Sequence, residues 1–390
     1  TILPLRPHAL LAETEYGQVD FNSKVHGTPA TAADLNNPSY QVAADSSGNV
    51  FINDTSNHRV LMYASGSPSG AGATKVFGQA NFSTSSNGTT ASTLSGPDGL
   101  AVDTSGNIYI AETFNNRVVM FANAASVATC GSGSNGACSA TKVFGQANFT
   151  ASPSGTTAST LHSPEGVAVD GSGNLYVADT GNNRVLMFSN AASIVSCGSG
   201  LNGACAASTV YGQPSFTSST AASPPTASTM NFPQDLTTDV SGHLYVSDYL
   251  NSRVLIFASG SADGAAAMTE YGQPNFTSNA HGSPPTASNL WFAGGVGLDS
   301  SGNVYASDTS NNRILVFPSG AASGAAATKV YGQPDFVSAG SGTTASNLNG
   351  PAGVKIDNVG NVYVDDYFNN RVLINPPVTV PSAGTATPTV

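Results

Sequence analysis

Apolar residues in this chain come in short bursts, and the bursts themselves repeat. Over 166–170, 174–179, 184–188 and 209–213, β-branched and aromatic residues alternate or cluster, and each stretch is bounded by Gly, Asn or Ser. Alternation over so few positions, closed off by turn formers, predicts four short strands. The unit recurs six times. Its marker, an Asp followed by a Gly-containing turn, falls at Asp45, Asp103, Asp170, Asp239, Asp299 and Asp357, about 60–70 residues apart. Four strands per repeat and six repeats predict an all-β fold: a six-bladed β-propeller with four antiparallel strands per blade.

The termini indicate how the ring closes. An aromatic-Gly-Gln motif marks each fourth strand, beginning at Tyr16, Phe77, Phe144, Tyr211, Tyr271 and Tyr331. The first copy precedes the first Asp turn, and none follows the last third strand. The segment 15–21 is therefore expected to supply the outer strand of the sixth blade, removing two open sheet edges. This divides the chain into an N-terminal tail (1–12), the propeller (13–375) and a Pro/Thr/Val-rich extension (376–390).

The repeat P-x-G-V-A-V-D-x-S-G-N-L-Y-V-A-D-T-x-N-N-R-V resembles NHL repeats, in a bacterial form with G-Q-x-x-F and T-A-S-x-L between blades. The resemblance covers about residues 13–375. It implies the six-bladed fold but no single function, since such families include ligand-binding sensors, protein- or RNA-binding modules and an amidating lyase.

Composition narrows the partners. Only 9% of residues are charged, against roughly 25% in an ordinary soluble domain, and the net charge is −11. With 12 basic residues and no basic run, nucleic acid is not an expected partner. No apolar stretch is long enough for a membrane span. The first residue is Thr1, which reads as a processed chain. Cys130/Cys138 and Cys197/Cys205 repeat a C-x7-C spacing at equivalent positions, which favours two local disulfides over metal knuckles. That pattern points to an extracellular or cell-surface protein.

What occurs in every copy belongs to the scaffold. Arg59, Arg117, Arg184, Arg253, Arg313 and Arg371 each follow an acid by five residues: Asp54, Glu112, Asp179, Asp248, Asp308 and Asp366. These read as local ion pairs. The D-x-S-G-N turns carry one carboxylate each, too few for a calcium loop. Five N-x-S/T sequons, at Asn53, Asn81, Asn87, Asn148 and Asn275, are candidate glycosylation sites.

Function is expected where copies diverge. Acids at successive first-strand starts, Asp98, Glu165 and Asp235, should share one rim. Alternation points Ala43, Ala101, Ala168, Thr237, Gly297 and Lys355 into the central channel, and Lys355 breaks the series of small residues. Large rings near the second-to-third turns or the strand starts, Tyr249, Trp291 and Tyr367 above all, complete a candidate channel-mouth binding site. The amidating lyases implied by the resemblance bind zinc through histidines. Here three His cannot be drawn from one rim, and no nucleophile elbow or phosphate loop occurs. No cofactor or metal is expected.

The uncharged, extended tails suit strand addition between copies. The sequence thus favours a non-enzymatic extracellular structural or adhesive propeller, self-assembling into filaments or a surface layer through its tails. Its alternative is a monomeric module that binds a small molecule, glycan or peptide at the channel mouth. A metal-dependent lyase-like enzyme comes third.

Overall fold

Each burst becomes a strand because a half-buried pleated surface suits β-branched and aromatic side chains, and the Gly and Asn between them take the left-handed backbone that tight reversals need. The computed structural model describes residues 12–24, 29–39, 41–126, 136–195 and 203–376. Among these, six four-stranded antiparallel sheets form the blades of a ring. The inner strands are Val42–Ala44, Pro97–Val102, Val167–Val169, Pro233–Thr238, Ala293–Leu298 and Pro351–Ile356.

The ring closes as expected, through a shorter strand than 15–21. Thr14–Tyr16 pairs with Arg371–Asn375 in the sixth blade, with Glu15 opposite Leu373. The remainder of that segment turns away.

The core lies between blades. One apolar cluster joins Tyr109 and Ala111 of blade 2 to Leu175 and Phe188 of blade 3. The aromatic of each aromatic-Gly-Gln motif drives much of this packing. Phe144 meets Phe188 of the next blade with ring centroids 5.3 Å apart, and Tyr211 meets Phe257 at 5.4 Å. Across the closing seam Tyr16 stacks on Tyr63 at 4.4 Å, so the closure reproduces the ordinary blade-to-blade contact.

The arginines tie together three parts of the repeat. Arg184 Nε pairs with Asp179 at 2.6 Å, its Nη2 donates to the carbonyls of Thr157 and Thr160, and its Nη1 donates to the carbonyl of Phe216. The T-A-S-x-L and G-Q-x-x-F segments therefore supply carbonyls to one buried guanidinium. Asp179 in turn accepts the backbone N–H of His162 at 2.6 Å. Both charged groups are fully buried, and this arrangement satisfies nearly every donor that burial would otherwise orphan. Arg371 repeats the pattern at the closure, where the accepting Phe carbonyl is that of Phe21.

Two faces follow from the chain direction. On the front face the inner strands begin, beside the 3-10 turns linking second and third strands. The Thr of one such turn bonds the Pro at the next strand start, as Thr180 does with the Pro233 carbonyl at 2.6 Å. On the back face lie the six Asp turns. Asp45 there accepts the N–H groups of Ser47 and Asn49, a turn-closing role that accounts for the Asp in each copy.

Candidate functional site

Along the axis the copies stop agreeing. Four residues before each turn Asp the sequence reads Gln41, Gly99, Gly166, Asp235, Gly295 and Gly353. Glycine is needed at most of these positions, because a Cβ on Gly99 would lie 1.9 Å from the Glu165 carbonyl oxygen, and one on Gly166 2.4 Å from that of Gln234. The two departures from glycine meet. Gln41 extends from blade 1 across the channel, its Oε1 accepting the N–H of Leu100 at 2.7 Å and of Val167 at 2.9 Å. Its Nε2 donates to the Val167 carbonyl at 2.9 Å and to the Asp235 carboxylate. One side chain thus bolts blade 1 to blades 2, 3 and 4 and divides the channel into a front and a back chamber. The sequence reading missed Gln41, although its departure from the glycine column was a visible signal.

This division splits the expected rim. Asp235 and Lys355 line a cavity of about 560 Å3 that reaches to the Asp turns of the back face, whereas Asp98 and Glu165 stand at the front. Asp235 is held by the N–H groups of Leu236 at 2.6 Å and Val296 at 2.8 Å. Burial pushes its carboxyl up to about 7, against the pull of those donors, the Gln41 amide and the Lys355 charge. Burial lowers the Lys355 ammonium, and Asp235 partly restores it. Gly297, expected to face the channel with Lys355, instead lets two blades approach: a Cβ there would lie 2.7 Å from the Val354 carbonyl oxygen.

At the front, Asp98 touches the hydroxyls of Ser39 and Thr113. Burial lifts its carboxyl above the ordinary range, and those hydroxyls and Thr55 draw it back. Thr113 also bonds the Pro164 carbonyl at 2.8 Å. A hydroxyl has one proton, so its second contact is satisfied when Asp98 carries a proton of its own. Burial, followed by the Asp98 charge, lifts Glu165 well above its usual value, and its Oε2 has no hydrogen-bond partner. Burial raises the phenols of Tyr249 and Tyr367, with a further push from the Glu165 charge on the first and from Asp365 and Asp98 on the second. Two interacting carboxyls of this kind can hold and pass a single proton.

Trp291 belongs to a run of rings on the same face. Phe232 lies 6.4 Å from Tyr249, Tyr249 stacks on Phe292 at 4.8 Å, and His281 bridges Phe292 and Trp291 at 5.0 and 5.7 Å. Phe232 and Phe292 adopt φ of 59° and 60°, where blades 2 and 6 use Gly96 and Gly350. In blades 2 and 6 the rings come instead from the turns, Phe114 and Phe368, which are 66% and 58% exposed.

The other expected residues serve the scaffold or fall outside it. Asn53 is fully buried, with its Nδ2 on the Asp98 carbonyl at 2.7 Å, so the folded chain has no room for a glycan there. Asn81, Asn148 and Asn275 each cap a turn through Oδ1, which accounts for their recurrence; Asn87 is exposed. Cys138 and Cys205 are buried and neither is a free thiol, while Cys130 and Cys197 lie outside the described residues. So do 1–11 and 377–390, which hold most of both tails. His58 accepts the Gly96 N–H and His243 pairs with Asp239, each far from the other in the repeat. Among the described residues no three His, Cys, Asp or Glu gather as a metal site, and no helix is long and apolar enough to cross a membrane.

The NHL repeat family profile matches residues 161–188, 230–257 and 290–317. The chain carries NHL repeats. Each match runs from just before an inner strand to the end of a third strand, and the other blades of the six-bladed ring have the same strand arrangement. No curated protein matches the chain. Among solved structures, a streptogramin B lyase is 12% identical, covering 93% of this chain and 98% of its own, with a TM-score of 0.46. A catalytically inactive virginiamycin B lyase from Staphylococcus aureus with quinupristin is also 12% identical, covering 88% and 83%, at 0.46. A protein of unknown function from Bacteroides thetaiotaomicron is 15% identical, covering 90% and 72%, at 0.50. Likeness at this level concerns the fold alone.

Proposed function

We propose that this NHL propeller is a binding module whose front-face mouth takes a glycan. The observation that carries the reading is the pair Phe232 and Phe292 at positive φ. Folding does not require a bulky side chain there, since Asn37, Gly96, Ser163 and Gly350 occupy the equivalent positions of the other blades, and a bulky residue in this region costs about 1 kcal/mol or more. A bulky ring kept in this backbone region at two neighbouring blades, with Phe292 stacked on Tyr249 beside Trp291 and Phe232 tilted against Tyr249, is what a ligand surface needs. Flat aromatic faces suit the apolar faces of sugar rings. The reading is one of binding without catalysis, in an extracellular setting. The assembly through tails favoured by the sequence falls mostly on 1–11 and 377–390, outside the described residues.

The test is a thermal-shift and calorimetric screen of neutral oligosaccharides, chitotetraose and cellotetraose included. Binding by one member, lost in a Tyr249→Ala/Trp291→Ala variant with an unchanged melting temperature, supports the proposal. Failure of every member to bind, or binding untouched by the double variant, overturns it.

A further inference from the structure

The back chamber is a second and separate site. Its walls are the small or aliphatic side chains Ala43, Ala101, Ala168, Val296 and Val354, and Gln41 closes it from the front. Toward the back it widens into the seam between blades 6 and 1, where Tyr16, Ser65 and Tyr363 line it. A cavity of about 560 Å3 is within the range of small-molecule sites.

Lys355 is the anomaly in this shaft. It stands in a column otherwise occupied by Ala, Thr and Gly, and no described residue hydrogen-bonds its ammonium. Asp235 balances its charge, but no hydrogen bond joins the two groups. An ammonium with three N–H donors in a part-buried shaft requires acceptors, and no described residue supplies one by a hydrogen bond. The mouth of the same cavity has the opposite character. Asp45 and Asp357 line it, the nearest members of the six-carboxylate ring around the back face. An anion alone would meet that ring before reaching Lys355, and a cation alone would have no reason to go deeper.

We propose that the back chamber binds a zwitterion of the amino-acid or short-peptide class, with its carboxylate inward on Lys355 and its ammonium outward between Asp45 and Asp357. Each end then meets the opposite charge, and the small-residue walls admit an extended backbone without bulky side chains. This reading is independent of the front-face mouth, because Gln41 lies between them.

Triglycine, its C-terminal amide and its N-acetyl form, titrated into the intact protein by calorimetry, test it. Triglycine is expected to bind. Amidation, or Lys355→Met, should weaken binding by more than about ten-fold, the scale of one lost charge-assisted contact of 1.4 kcal/mol. N-acetylation should weaken it by a smaller factor. Ala101→Leu, which fills the shaft and leaves Lys355 in place, should also block it, so a folding defect in Lys355→Met does not end the test. The proposal is overturned if no form binds, if the amide binds as well as the acid, or if both variants bind normally.

Discussion

The arginine nodes and the propeller axis are built from the same repeat and follow opposite rules. At the nodes all six copies converge on one geometry: an acid, a guanidinium and the carbonyls of two loops, at nearly constant distances. On the axis, the position that is glycine in four copies becomes Gln41 and Asp235 in two, and the column of small residues is broken by Lys355. A ring needs six equal wedges at its nodes. It needs only one bolt and a tolerable channel at its centre, so the axis is free to carry function. The front face shows the same freedom in Phe232 and Phe292, which accept strain that Gly96 and Gly350 avoid.

Breaking a node should cost most. Arg184→Met leaves Asp179 buried without its partner and is expected to lose about 3–5 kcal/mol in urea unfolding. Arg371→Met should cost as much and also release the closing strand, seen as faster proteolysis near the N-terminus. The bolt comes next. Gln41→Ala orphans the N–H groups of Leu100 and Val167, an expected loss of about 1–3 kcal/mol. Gln41→Gly/Asp235→Gly, which restores the glycine column, should cost less than the sum of the two single changes, because partners are removed together.

A smaller effect depends on pH. Glu270 is buried beside Arg253, and burial raises its carboxyl from 4.5 to about 7. In the unfolded chain it ionises first, so folding stability falls as pH rises from about 4.5 to 7 and is then flat. Glu270→Gln should therefore stabilise the protein at pH 8, by on the order of 1 kcal/mol, and change little at pH 4, measured as urea midpoints at both values. Smallest of all, Phe232→Gly relieves backbone strain while losing ring contacts, and the net change should stay within about 1 kcal/mol.

Much of the fold was legible because its signals are local and repeated. Strand alternation, turn glycines and the misplaced first aromatic-Gly-Gln motif were enough to place the blades and their closure. The arginine pairs were legible as pairs, but not as the reason for T-A-S-x-L and G-Q-x-x-F, since those segments contribute backbone carbonyls and leave no side-chain signature. The site was only half legible. Asp98 and Glu165 do stand at the front, where the Asp98 charge acts on Glu165. Asp235 and Lys355 do not join them, because a side chain from the opposite blade crosses between, and chain direction alone cannot show a contact spanning 194 positions. Asn53 carries the sequon of a candidate glycosylation site but is buried, which the motif by itself does not show.

The most direct test sets the two regions against each other in one measurement. Urea unfolding of Arg184→Met and of the Tyr249→Ala/Trp291→Ala double variant should give a midpoint far below wild type for the first and near wild type for the second. Equal losses in both would mean that the front-face rings are part of the scaffold, and would contradict the division of this ring into repeated residues that fold it and divergent residues that bind.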